Sequence, residues 1–92
     1  MFGMKPPLRC MVARLLADGR ARRAEDVLWE LEPLYGSERQ FTLRAIEEHL
    51  QALKAVGVAM VQGLSVEQPG ELVTSYGLSP QGRQVLERLK RP

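Results

Sequence analysis

The apolar pattern of this 92-residue chain changes period once, at Gly57, and that change limits the folds open to it. Before Gly57 the apolar residues recur at the spacing of one helix face. After it they form two short β-prone runs, Val58–Val61 and Leu72–Tyr76, around Glu67-Gln68-Pro69-Gly70-Glu71. Pro-Gly is strong turn chemistry, because proline presets φ and glycine accepts the positive φ that follows. The two runs predict one β-hairpin, with Leu72, Thr74, Tyr76 and Leu78 alternating onto its inward face. The chain is therefore expected to be mainly α with a small β-hairpin, an α+β fold in the order helix-helix-helix-strand-strand-helix.

Start and stop signals divide the first 57 residues into three helices. Pro6 or Pro7 opens the first, since proline suits a helical turn whose N–H groups lack partners anyway. Leu8, Met11, Val12, Leu15 and Leu16 make its apolar stripe, and Asp18-Gly19 closes it. The second runs from about Arg22 to Glu32, with Ala24, Val27, Leu28 and Leu31 inward and Glu25 and Asp26 near its positive end. Pro33 should stop it at or just past that residue, leaving Leu34-Tyr35-Gly36-Ser37 as a turn. Thr42 is the preferred N-cap of the third, which buries Leu43, Ile46, Leu50 and Leu53 and stops at Gly57. Ser37, with Gln40 three residues on, is a competing start that caps at most one short preceding turn. Ser79-Pro80 opens a last helix over 80–91, with Val85, Leu86 and Leu89 apolar and Arg88, Lys90 and Arg91 at its negative end. No linker or repeat interrupts this, so residues 1–92 read as one domain, with a flexible N-terminus at 1–5 and the hairpin at 58–79.

Composition narrows the function. One cysteine, Cys10, excludes an internal disulfide framework and a Cys-rich zinc site. No apolar run approaches the roughly 18–20 residues that span a bilayer. The first residues lack an apolar signal core, so a cytoplasmic protein with no membrane contact is expected. His49 is the only histidine, and the adjacent pairs Glu25-Asp26 and Glu47-Glu48 diverge on a helix instead of converging on a substrate. With no phosphate loop and no metal-ligand spacing, neither an enzyme nor a cofactor is expected. The formal net charge of +2 is segmented: +5 over residues 1–23, −4 over 24–36 and +3 over 83–92.

Two motifs carry a resemblance. Thr42-x3-Ile46-x3-Leu50-x2-Leu53-x3-Gly57-Val58 looks like the recognition helix of bacterial regulators. Tyr76-Gly77-Leu78-Ser79-Pro80-Gln81-Gly82-Arg83-x2-Leu86 is similar to the end of the wing in PadR-like and MarR-like winged helix-turn-helix proteins. Together they cover roughly residues 8–90. The resemblance implies a transcriptional regulator whose partner is double-stranded DNA, with helix 42–57 in the major groove and the wing on flanking backbone or minor groove. On that reading Arg44 pairs with guanine, Gln51 with adenine and Glu48 with cytosine, while Thr42 and Lys54 lie beside them. Arg22 and Arg23 would meet phosphates, assisted by Arg20, and a homodimer would double the readout. Independently of any family, Gly82 costs its helix about 1 kcal/mol relative to alanine, which makes sense if another segment packs closely there.

The charge placement supports an alternative. From Val58 to Gly82 there is no Lys or Arg, and the hairpin tip carries Glu67 and Glu71. Phosphate contacts supply most nonspecific affinity, and carboxylates oppose them. A winged helix also serves as a protein-interaction module, here through the acidic second helix, Trp29 and the hairpin strands. Trp29 falls opposite Val27, Leu28 and Leu31, so it is either covered by the segment Phe2–Pro7 or a contact residue; covering is the preferred reading.

Overall fold

The computed structural model describes residues 5–89. Its elements follow the expected order: α1 (Leu8–Leu15) with a 3₁₀ turn (Leu16–Asp18), α2 (Ala24–Tyr35), α3 (Leu43–Ala55), β1 (Ala59–Gln68), β2 (Glu71–Leu78) and α4 (Pro80–Leu89). The strands form one antiparallel sheet. Val12 and Leu16, Val27 and Leu31, and Ile46 and Leu50 meet in the core, as the helical stripes require. Each fully buried side chain of this size stabilises the fold by about 1.5–3 kcal/mol. Ala59, Tyr76 and Leu78 close that core from the base of the hairpin.

The caps are local chemistry. The Thr42 hydroxyl accepts the Ala45 N–H at 3.1 Å and starts α3, so Ser37 does not. Gly57 ends it with φ +84°, a left-handed conformation that favours glycine. Ser79 serves two elements at once: its hydroxyl accepts the Gly82 N–H at 2.8 Å and donates to the Gly57 carbonyl at 2.5 Å. Ser79→Ala is therefore expected to lose about 1–2 kcal/mol, a fall of roughly 5–15 °C in Tm by circular dichroism. Ser79→Thr should recover most of it.

The structure departs from several expectations. α2 passes through Pro33 and ends at Tyr35, so Leu34 and Tyr35 are helical and not a turn. A proline inside a helix costs about 3 kcal/mol. Tyr35 offsets it: its ring is buried and stacked on Phe41 with centroids 6.3 Å apart, and its hydroxyl donates to the Pro6 carbonyl at 2.5 Å. Lys5, the last residue of the terminus expected to be flexible, is the one residue of it that the structure describes. It donates to the Leu34 carbonyl at 2.7 Å, pairs with Glu38 and lies 4.9 Å over the Tyr35 ring. The rest of that expectation, residues 1–4, lies outside the described residues, as do Lys90 and Arg91.

Leu72 and Leu89, expected inward, are both exposed. Burial falls along both strands toward the turn, because the hairpin is longer than the helical body it leans on. β1 extends to Gln68, well beyond the predicted run. Two β-bulges leave Gln62 and Glu67 without cross-strand partners.

Candidate nucleic-acid interface

Packing the apolar stripe of α3 inward turns Arg44, Glu47, Glu48, Gln51, Lys54 and Ala55 to solvent. Arg44, Glu47, Glu48 and Gln51 face an open groove of about 760 Å³ between α3, the start of α2 and β2. At its floor the Gln51 amide N–H donates to the Tyr76 hydroxyl at 2.9 Å, tying α3 to the wing strand. Tyr76 is itself held by its backbone, whose N–H and C=O bond Arg22 at 2.7 and 2.9 Å. Thr42 lies at the start of the same helix with its hydroxyl committed to the cap. Lys54 makes no ion pair among the described residues.

The two cations of the groove are already countered. Arg44, 89% exposed, lies 3.7 Å from Glu48 one turn on. Arg23 faces Asp26 at 3.4 Å and Glu67 of the wing at 3.1 Å. The Arg23 guanidinium is held above its ordinary pKa, first by the hydrogen bond to Asp26. Asp26 is held below the usual carboxylate range, chiefly by the Arg23 backbone N–H that it caps at 2.9 Å.

Arg22, expected to meet phosphates, is instead buried with its donors turned to the protein. It precedes α2 and is 3% exposed. All five of its guanidinium N–H donors are engaged: Nη1 on the Leu15 carbonyl and Asp18, Nη2 on Asp18 and Glu30, and Nε on Glu30, at 2.7–3.2 Å. The Asp18 carboxyl is held well below its usual range, first by Arg22 and then by the Arg20 backbone N–H. Arg20, also named as an assistant, has an exposed side chain on the loop before Arg22.

Trp29 is 77% exposed, so none of the described residues covers it. The Lys5–Pro6 segment lies over Tyr35 instead, and Phe2 is outside the described residues. His49 accepts from Arg9 at its Nδ1, 3.1 Å away, and burial followed by the Arg9 charge lowers its pKa. Among the described residues no group of three or more His, Cys, Asp and Glu could hold a metal ion, and no helix is long and apolar enough to cross a membrane.

No protein-family model matches the chain, and no curated protein matches it. Solved structures do. TA0346 from Thermoplasma acidophilum, a candidate transcriptional regulator, gives a TM-score of 0.65 at 17% identity over 90% of this chain and 80% of that one. PadR of Bacillus subtilis, solved in complex with operator DNA, gives 0.68 at 19% identity over 94% of this chain and 50% of that one. The ferric uptake regulator of Francisella tularensis, solved with iron, gives 0.60 at 20% identity over 87% and 57%. This chain thus spans about half the length of the last two. Likeness at such identities is one of fold: the chain is a winged helix-turn-helix domain.

Proposed function

We propose that the chain is a PadR-like or MarR-like winged-helix regulator of transcription, acting in the cytoplasm as one domain over residues 1–92 and setting α3 into the major groove of duplex DNA. The observation that carries this reading is the exposed row Arg44, Glu48 and Gln51 on a helix fixed to the wing through Gln51 and Tyr76. Arg44 reads guanine O6 and N7, and Glu48 accepts from cytosine N4. Gln51 commits one amide hydrogen to Tyr76, which leaves its other hydrogen and its carbonyl oxygen for the paired contact that adenine requires. Thr42 and Lys54 flank this row, and Arg23, with Arg20 on the loop before it, takes the phosphates. Two copies would engage two half-sites.

A salt titration on random duplex DNA tests the reading. Affinity should fall steeply as salt rises, and Arg23→Ala should weaken binding and make the log–log slope shallower by about one unit. No binding at about 50 mM salt would overturn it. The exposure of Trp29 favours a second reading, a protein-interaction module using the acidic face of α2, because tryptophan is enriched among interface anchors. A flat titration transfers the case to that reading.

A further inference from the structure

We propose that Glu67 is an internal competitor for Arg23, a carboxylate of the wing that occupies the phosphate-binding guanidinium until DNA displaces it. This rests on the reading of Arg23 as a phosphate ligand. Glu67 is the extra residue of a bulge, between the pairs Val66–Leu72 and Gln68–Glu71. A bulge frees a residue from the ladder and re-aims its side chain. Here the carboxylate takes two partners: Arg23 Nη1 at 3.1 Å and the Ser65 hydroxyl, which donates to it at 3.4 Å. The contact joins residues 44 positions apart and bridges the start of α2 to the end of the wing.

The two carboxylates on Arg23 are not equivalent. Asp26 also caps the Arg23 backbone N–H, so it is fixed by the start of α2 whatever the wing does. Glu67 sits where both strands have left the core, beside the exposed side chains of Val66 and Leu72. Arg23 is 37% and Glu67 47% exposed, so their attraction is weak and screened by salt. A DNA phosphate offers the same guanidinium a charge-assisted, two-pronged bond. The exchange of one anion for another gives a carboxylate of a wing without a single Lys or Arg between Val58 and Gly82 a role that opposes nonspecific binding. That carboxylate covers the cation in the free protein and uncovers it on binding.

The test compares Glu67→Gln with Glu71→Gln, which removes the same charge from the same turn without a contact to Arg23. In the free protein, 15N relaxation should show residues 66–72 more mobile in Glu67→Gln and unchanged in Glu71→Gln. On random duplex DNA at low salt, Glu67→Gln should bind about two- to fivefold more tightly, and Glu71→Gln less than about twofold. In an Arg23→Ala background Glu67→Gln should bring no gain. Equal gains from the two glutamates, or a gain that survives the loss of Arg23, would reduce the effect to general repulsion and overturn the competition. An unchanged wing in Glu67→Gln would overturn the tether. A loosened wing with no DNA binding by any variant would refute the competition and the DNA-binding reading together, while leaving the tether in place.

Discussion

Replacing Gly82 with alanine is expected to cost about 3 kcal/mol or more, although alanine is the better helix former by about 1 kcal/mol. A Cβ built on Gly82 would lie 2.9 Å from the carbonyl carbon of Val58 and closer still to its oxygen. Both are backbone atoms, so no rotamer change relieves the clash. The Val58 carbonyl is also pinned, because it accepts the Ser79 N–H at 2.9 Å. Moving α4 outward would stretch that bond and both bonds of the Ser79 hydroxyl. For a domain of this size the loss is a fall of roughly 10–25 °C in Tm, read by circular dichroism. Gln84→Ala, on the exposed face of the same helix, should stay within about 0.5 kcal/mol of the parent. A Gly82→Ala protein as stable as the parent would refute the close approach.

Gly82 also shows which parts of this fold are written locally. Its misfit with helix propensity is visible in the sequence, and so are the caps Thr42 and Ser79 and the stop at Gly57. The caps and the stop depend on chemistry within a few residues, and each is where the spacing puts it. The exposed row of α3 follows from the same stripe that buries Ile46 and Leu50. What the spacing could not show depends on distant partners. Pro33 looks like a stop until Tyr35 is seen buried against Phe41 and Pro6. Glu67 looks like a free anion until the bulge and Arg23 are placed together. Arg22 looks like a surface cation because it adjoins a helix N-terminus. The spacing Asp18-x3-Arg22-x7-Glu30 is the one hint of its partners, and only the pairing with Tyr76 makes the site buried.

Arg22→Met is the change expected to damage the fold most after Gly82→Ala. Removing one member of a buried ion cluster costs about 3–5 kcal/mol, because the groups left behind keep their desolvation penalty without their partner. Asp18 and Glu30 remain 43% and 27% exposed, so water recovers part of the loss and about 3 kcal/mol is expected. Arg22→Lys keeps the charge but not the planar fork, and should lose about 1–2 kcal/mol. Acid unfolding supplies an independent readout. The folded-state pKa of Asp18 lies below its ordinary value of 3.8, first because of the Arg22 hydrogen bonds. Its contribution is therefore fully present above that value and is lost as pH falls through the folded one. The parent should lose stability below about pH 4 more steeply than Arg22→Met, which has no such pair to break. Identical acid limbs, or a Tm within about 3 °C of the parent, would refute the buried cluster as a stabilising element. Any loss of DNA affinity in Arg22→Met should follow the unfolded fraction and vanish at temperatures where the variant is folded. The loss in Arg23→Ala should persist there, since that side chain is assigned to the ligand and Arg22 to the fold.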